Sequence, residues 1–425
     1  MKISQDVKLL TSLFLPFFLI HSVQQIYLTY AILLYQGYGL SYETTGWIIG
    51  IYSLAALLTR PLGGWLLENF GIRKILIWSG VLSFIGAVLL FSSESTAMIL
   101  IGRALSGAVF GAYFTNPAAL LLIGRALSGA AFGIYSYGLF SHQALCVSEK
   151  RRGAMFSLLV VGSILPMGVV APLGEWLLYG SQNMLYLAIG PVLSVLCVFF
   201  GGKVNIAALP NISDECNAVS FTSNTEEKKS DNNLSWGTYT SLFSSRPFLL
   251  LILTGMFIAI VDALIITLSL LTVEKGLMIS YFFASVSVTA LIVRLPGASL
   301  LNALERTPLL APCGILMSLA IIIVSFFPSN GALIIGGILF GAGLGAGWPI
   351  YQALISDLLD PALRPKGTAT ALLLYDIGFF VTPLIVGYFL PRFGTSATFA
   401  AIALTAGGVL VLLEIFYWLP FFRRK

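Results

Sequence analysis

The stretch that decides the fold is residues 63–74, which read GGWLLENFGIRK. It joins two apolar segments, residues 43–67 and 74–93. Gly71 permits a tight turn because glycine tolerates backbone conformations that other residues avoid. Arg73 and Lys74 put two positive charges directly after that turn. We therefore predict two helices joined by a short turn, with a basic anchor at the start of the second helix.

Apolar segments of the same kind fill most of the chain. Hydrophobic residues make up 58% of it and charged residues only 10%, whereas soluble domains contain about 45–50% apolar and about 25% charged residues. A helix needs ~20 mostly apolar residues to cross the hydrocarbon of a bilayer. We predict an all-α membrane protein with twelve spans, at residues 9–37, 43–67, 74–93, 96–145, 152–178, 184–201, 246–272, 278–302, 307–327, 331–357, 366–391 and 394–422.

Positive charge is concentrated in alternate loops. With twelve spans, 17 of the 23 Lys and Arg residues fall on one side, whereas only Lys275 and Arg392 fall on the other. Because Lys and Arg in short loops favour the cytoplasmic side, we predict a plasma (inner) membrane protein with both termini in the cytoplasm. The same asymmetry accounts for the net charge of +5, so that charge does not indicate nucleic-acid binding.

One long polar stretch, residues 202–245, divides the chain into residues 1–201 and residues 246–425. The stretch is rich in Ser, Thr, Asn and charge and cannot bury enough apolar area to fold alone. We predict that it is a flexible cytoplasmic linker between two six-span halves. A shift of 234 residues supports this division, since it lays Arg60 on Arg294, Gly63 on Gly297, Ile101 on Ile335 and Gly111 on Gly345.

A second, shorter repeat lies inside the fourth apolar segment. Residues 101–113 (IGRALSGAVFGAY) and 123–135 (IGRALSGAAFGIY) are identical at 11 of 13 positions. The spacing indicates a 22-residue tandem duplication, 101–122 and 123–144, in span four. A whole extra span would place the later basic loops outside, against the positive-inside bias. We therefore expect one copy to form span four and the other to be displaced from it.

The motif at 63–74 resembles a known family signature. It matches Gly-x-Leu-x-Asp-x-x-Gly-x-Arg-Lys of the major facilitator superfamily, with glutamate in the aspartate position; the matched residues are Gly64, Leu66, Glu68, Gly71, Arg73 and Lys74. The resemblance implies a fold of two pseudo-symmetric six-helix bundles. It also implies that Glu68, facing a helix N-terminus or a cation, contributes to a breakable latch between the bundles. The alternative is that Arg73 and Lys74 are only topology anchors.

Span four carries a second resemblance. Arg125 and its duplicate Arg103 begin the sequence Arg-Ala-Leu-Ser-Gly, which is similar to the family pattern Arg-x-x-Gln-Gly. In the family this arginine is associated with proton coupling. An arginine inside a membrane normally faces a cavity or a partner. The alternative is that the arginine side chain extends to the outer membrane surface, because both copies of the repeat begin near that side.

Four further ionisable residues lie within predicted spans. Asp262 is in the middle of span seven and Asp376 about ten residues into span eleven. Arg60 and Arg294 lie at equivalent depths in spans two and eight. In the family, helices two and eleven meet across the halves, as do five and eight. The resemblance therefore implies an Arg60–Asp376 pair at the moving interface, whereas the alternative for both arginines is an interfacial anchor.

The family resemblance also implies a central cavity lined by helices one, four, seven and ten. Polar and aromatic residues on helices one and ten are therefore candidates for that cavity: His21, Gln24, Gln25, Tyr27, Trp348, Tyr351 and Gln352. For each aromatic residue, bundle packing or an interfacial aromatic belt is an equally good interpretation.

Together these patterns predict a monomeric secondary active transporter that moves a small organic molecule by proton-coupled efflux, as an antiporter. Internal repeats of this size are typical of such proteins. Proton-coupled uptake of a small polar or anionic metabolite stays open, as does a transport-inactive sensor or scaffold. We find no nucleophile–base group, metal-ligand spacing or phosphate-binding loop, so we expect no enzyme activity, no cofactor, no bound metal and no nucleic-acid partner.

Overall fold

The structure is a computed structural model that describes residues 5–93, 117–146, 149–204, 242–303, 305–359 and 364–423. Its regular elements in these ranges are all helical. Most of the predicted linker and residues 101–116 of the first copy of the duplicated stretch, with Arg103, lie outside the described residues.

The described residues of the first half form six helices. The helix Tyr42–Ser92 is broken at Gly71, where φ is 74°, so it forms two helices at residues 42–70 and 72–92. This break lies in the quoted loop, as the glycine predicted. The six helices are α1 (Gln5–Ile26, continuing through irregular turns to Gly37), α2 (42–70), α3 (72–92), α4 (Pro117–Cys146), α5 (Glu149–Tyr179) and α6 (Asn183–Gly202).

The second half also contains six helices in the described ranges. Gly394, with φ of 79°, provides the turn between the last two. They are α7 (Arg246–Glu274), α8 (Ser280–Ala303), α9 (Leu310–Phe326), α10 (Asn330–Leu358), α11 (Arg364–Phe393) and α12 (Thr395–Leu413, continuing to Arg423). Across the described residues, ten segments are long and apolar enough to span a membrane, and α8 is apolar over the shorter stretch Ser280–Arg294.

Glycines hold α4 against α2 in the first half. A methyl group on Gly129 would collide with the carbonyl oxygen of Tyr52, and one on Gly133 would lie 2.5 Å from that of Ala56. The two backbones therefore approach as closely as small residues allow, which is how membrane helices commonly associate. Both glycines belong to the second copy of the duplicated stretch.

The second half repeats this contact. A methyl group on Gly341 of α10 would lie 2.6 Å from the carbonyl oxygen of Val286 of α8, and one on Gly345 would lie 3.1 Å from Ala290. The α2 and α8 partners differ by 234 residues, whereas the α4 and α10 glycines differ by 212. The difference is the 22-residue repeat length, so the second copy occupies in the first half the place that α10 occupies in the second.

The two halves meet along α2–α11 and α5–α8, the two pairs that the resemblance implied. A methyl group on Gly46 would lie 2.5 Å from the carbonyl oxygen of Pro383, and the Ser287 hydroxyl donates to the carbonyl of Ile164 over 2.9 Å. We call the end of the molecule with the loop 63–74 the basic face, and the other end the opposite face. The described contacts between the halves lie mainly in the part of these helices between their middle and the opposite face.

We expect Gly129→Ala to destabilise the protein, because the added methyl group forces α2 and α4 apart. Overpacking of this kind costs about 1–3 kcal/mol of unfolding free energy. The matched control is Gly408→Ala in α12, where an added methyl group meets nothing within 4 Å and alanine favours the helix. Thermal unfolding of the purified protein in detergent should show a lower midpoint for Gly129→Ala only; equal midpoints would contradict the proposed role of this contact.

Candidate functional site

An ion pair joins the two halves near the middle of α2 and α11. Arg60 Nη1 of α2 lies 2.5 Å from Asp376 Oδ2 of α11, with 25% and 12% of the two side chains exposed. This is the pair that the resemblance implied. In a medium of low polarity, each charge removes most of the cost of burying the other. Separation of α2 from α11 at this level would therefore leave two unpaired charges.

Asp262 of α7 lies near this pair but has a different partner. Its Oδ2 accepts a hydrogen bond of 2.9 Å from the hydroxyl of Tyr375, the residue directly before Asp376 on α11. Both side chains are buried, with 7% and 6% of the residue surface exposed. Arg294 interacts with Asp262 electrostatically, although the two form no ion pair in the described structure.

Arg294 does not repeat the role of Arg60, its sequence equivalent. Its Nε donates to the carbonyl of Gly345 over 3.3 Å and its Nη2 makes a longer contact of 3.5 Å with the carbonyl of Leu344. It therefore binds α10 of its own half. Its Nη1 is buried without a hydrogen-bond partner, so the guanidinium is only partly satisfied.

Arg125 of α4 is buried among tyrosines. Its guanidinium carbon lies 4.3 Å from the ring centre of Tyr52, 5.0 Å from that of Tyr27 and 5.7 Å from that of Tyr30. Its Nε and Nη1 have no hydrogen-bond partner, so the faces of the aromatic rings supply the main attraction for the charge. The predicted cavity residue Tyr27 is thus part of the surroundings of Arg125.

The α10 candidates join an aromatic cluster beside Asp262. Ring centres of Trp348 and Tyr375 are 5.0 Å apart, those of Tyr351 and Tyr375 are 5.9 Å apart, and Phe379 stacks on Tyr375 at 5.7 Å. Tyr351 is buried and donates to the carbonyl of Ala371 over 3.1 Å. Trp348 and Gln352 are half-buried, so they are the more accessible members on α10.

The α1 candidates make their hydrogen bonds within the first half. His21 is buried and its Nδ1 donates to the carbonyl of Phe17 over 2.9 Å. Gln25 makes a long contact of 3.5 Å with the carbonyl of Ser163 on α5, and Gln24 is half-buried. The structure therefore does not bring the whole set of predicted cavity residues together.

The residues of the 63–74 signature are only partly described. Gly71 forms the break between α2 and α3, and Arg73 Nε donates to the carbonyl of Val204, after α6, over 2.7 Å. This contact stays within the first half, and Lys74 is exposed. The surroundings of Gly64 and the side chain of Glu68 lie outside the described part of the structure, so the predicted latch stays a prediction.

Two polar residues at the contacts described by the structure, Tyr375 and Glu175, were not predicted from the sequence. Tyr375 precedes Asp376, but nothing in the sequence places its hydroxyl on Asp262. Glu175 is fully buried near the end of α5 and bonds to residues 279 and 280 of the other half. A lone carboxylate in an otherwise apolar span is a signal that could have identified it.

Removal of either member of the Arg60–Asp376 pair should be more harmful than removal of both. We expect Arg60→Gln and Asp376→Asn each to lower the free energy of unfolding by about 1–3 kcal/mol, because each leaves the other charge unpaired, and the double variant to recover part of the loss. The control is the exposed pair Arg306–Asp357, 2.9 Å apart, for which the same cycle should give at most about 1 kcal/mol. Additive losses at Arg60 and Asp376 in chemical denaturation would contradict this account.

Comparisons with solved structures agree with this arrangement of helices. The inward-open xylose transporter XylE from E. coli is 14% identical, with a TM-score of 0.72, and the match covers 97% of this chain and 96% of that one. A D-xylose–proton symporter is also 14% identical, with a TM-score of 0.69 over 96% and 97%. A POT family transporter in complex with 5-aminolevulinic acid is 14% identical, with a TM-score of 0.69 over 96% and 95%. At this identity the likeness concerns the fold alone.

Comparison by sequence identifies the family. A search of curated proteins finds no match to the chain. The family model for the Major Facilitator Superfamily matches residues 13–121 and 262–425, which is more than half of the chain and includes both halves. The protein is therefore an integral multi-pass membrane protein and a secondary transporter, not an enzyme, and the chain belongs to the major facilitator superfamily.

Proposed function

We propose that this transporter is proton-coupled, exports a small organic molecule and works by alternating access. The observation that carries the proposal is the Arg60–Asp376 ion pair, which joins the halves with an N–O distance of 2.5 Å. Arginine keeps its charge under all physiological conditions, whereas a carboxylate can take up a proton. Protonation of Asp376 removes its attraction for Arg60 and so changes the relative energies of the joined and separated states.

Asp262 is the second proposed proton site. Its carboxylate is buried and depends on the Tyr375 hydroxyl and on the nearby Arg294 charge. Burial of a carboxylate favours its neutral form, because the neutral form costs less to remove from water than the charged form. A coupling ion shifts a conformational equilibrium only by binding one state better. We assign that difference in binding to Asp262 and Asp376.

The aromatic cluster supports an organic substrate. Trp348, Tyr351 and Tyr375 form a largely apolar wall next to the Asp262 carboxylate, and Trp348 and Gln352 are half-buried. Ligand sites of this type have apolar and aromatic walls with a few fixed polar groups. We propose that the substrate is exported in exchange for protons. One of the similar solved structures is a proton symporter, and that direction of coupling is a property of that protein.

Proton-coupled uptake of a polar or anionic metabolite is the second candidate. The observation that favours it is the unsatisfied positive charge in both halves. Arg294 Nη1 in the second half and Arg125 Nε and Nη1 in the first are buried without hydrogen-bond partners. An anionic substrate would complete such a site if either guanidinium became accessible during the cycle.

The remaining parts of the proposal concern topology. The charge asymmetry supports an inner-membrane location with both termini in the cytoplasm, and we propose that the protein acts as a monomer with residues 202–245 as its cytoplasmic linker. The halves are residues 1–201 and 246–425.

We assign the latch role to Gly64, Glu68, Gly71, Arg73 and Lys74.

Asp262→Asn should abolish the response of transport to a pH gradient. The amide keeps the shape and can still accept from Tyr375 but cannot exchange a proton. In proteoliposomes, a panel of cationic, anionic and neutral organic compounds is assayed with and without an imposed gradient. The wild type should move at least one compound faster with the gradient, and the variant should not. Asp357→Asn, an exposed carboxyl at the end of α10, is the control. A gradient response that persists in Asp262→Asn would contradict the assignment.

Deletion of residues 101–122 tests the transport-inactive alternative. Because the second copy makes the glycine contacts of α4, we expect the shortened chain to fold and to transport at the rate of the full chain. Transport by the shortened chain alone would instead indicate that the duplication disables the protein and leaves a sensor or scaffold. Flux in the proteoliposome assay, with circular dichroism as a folding check, separates the two outcomes.

A further inference from the structure

We propose that Glu175 is a proton-responsive gate residue, which holds the opposite face closed when it is ionised and releases it when it is protonated. The inference rests on the alternating access of the proposed function. It concerns a carboxylate that is separate from Asp262 and Asp376 and lies at the other pair of helices between the halves.

The contact is built around one carboxylate of the first half and one helix N-terminus of the second. Glu175 Oε1 accepts from the backbone N–H of Ile279 over 2.7 Å, and Oε2 accepts from that of Ser280 over 2.8 Å. The Ser280 hydroxyl also donates to Oε2. Three donors therefore converge on two oxygens, and all three belong to the start of α8. A carboxylate at a helix N-terminus also gains from the helix dipole.

No other charge in the described residues competes for Glu175. On its own helix the nearest titratable group is Tyr179, whose hydroxyl donates to the carbonyl of Leu277 over 3.2 Å. On the α1 and α6 side, Thr29 and Tyr186 lie against the neighbouring Gly174. The residue itself is 0% exposed, so the N-terminus of α8 is its main compensation.

At the end of α7 the charged groups are engaged elsewhere. Lys275 pairs with Glu274 over 3.1 Å, and Glu274 accepts from Thr395 over 2.6 Å. These contacts stay within the second half, so they do not hold the two halves together.

This geometry suits only the ionised form. Backbone N–H groups can only donate, and an ionised carboxylate offers two accepting oxygens. A protonated carboxyl would turn one oxygen into a donor that faces another donor, so at least one of the bonds would be lost. Hydrogen bonds to an ionised acceptor are also about twice as strong as neutral ones. Proton binding and closure of α5 on α8 therefore oppose each other.

In the described residues, the ion pair between the halves at this face is weaker than the Glu175 contact. Arg392 Nη1 lies 3.3 Å from Glu43 Oε1, and both side chains are about half exposed, at 44% and 54%. Exposed pairs of this kind contribute little. Glu175 thus provides the one fully buried charged contact that we find between the halves at the opposite face of the described structure. Opening of this face must break it, and only then does the carboxylate meet protons from that side.

The test measures opening of the opposite face directly. Spin labels are attached to Gln182→Cys and Asn330→Cys, exposed positions at that face in the two halves, after Cys146, Cys197, Cys216 and Cys313 have been replaced by alanine. Double electron–electron resonance then gives the closed and open populations between pH 5 and pH 8. We expect the open population to rise as the pH falls.

Variants identify the group that is responsible. Glu175→Gln should raise the ratio of open to closed populations by about 10-fold at pH 8 and should flatten its dependence on pH. Ser280→Ala removes one donor from the other helix and should shift the ratio in the same direction by less, which keeps the test valid if Glu175→Gln folds poorly. Asp357→Asn, which removes an exposed carboxylate paired with Arg306 within the second half, is the control and should leave the populations unchanged.

The outcomes separate this inference from the proposed function. Populations that do not change in Glu175→Gln and Ser280→Ala would overturn the gate, and so would a pH response that Glu175→Gln keeps in full. In Asp262→Asn the pH response of the opposite face should persist although gradient-driven flux is lost. Flux that survives in Asp262→Asn while the Glu175 response holds would instead overturn the proton site of the proposed function and leave the gate intact.

Discussion

The cost of placing charge in hydrocarbon is the constraint on which the rest of this structure depends. Four ionisable side chains described within the spans have different forms of compensation, and the form determines what each side chain can do. Asp376 has an opposite charge, Asp262 has one phenol hydroxyl, Arg125 has aromatic faces and Glu175 has a helix N-terminus. Compensation that lies in the other half of the molecule is lost when the halves part. Two of these four residues have their partner in the other half: Asp376 at the contact of α2 with α11, and Glu175 at the contact of α5 with α8.

The two halves are alike in backbone packing and unlike in polar chemistry. The glycine contacts of α4 on α2 recur for α10 on α8, so both halves are built on the same close approach of helices. Arg60 and Arg294 occupy equivalent positions, yet the first reaches across to the other half while the second binds carbonyl groups of its own half. A symmetric frame with asymmetric charges suits the proposed proton-coupled cycle, in which the two open states differ in their affinity for a proton.

Much of this architecture could be predicted from the sequence because membranes impose simple rules on composition. Apolar length and the repeat at 234 residues indicated twelve helices in two halves, and the glycine in the 63–74 loop indicated the break that the structure has at Gly71. The Arg60–Asp376 pair needed the family resemblance, since no periodicity connects residues so far apart. The Asp262–Tyr375 bond and the Glu175 contact depend on how helices rotate against each other. The packing of many side chains determines that rotation, so no short stretch of the sequence predicts it.

The register of the repeats has a practical meaning for work on this protein. The glycine contacts of α4 on α2 join residues that are 22 positions further apart along the chain than those of α10 on α8, yet both pairs of helices meet in the same way. The packing of α4 on α2 therefore does not require a fixed length of chain between α3 and α4. For single-particle imaging, the sequence between Ser93 and Pro117 is thus the first place to try a compact fusion partner or an antibody epitope that adds mass to the particle.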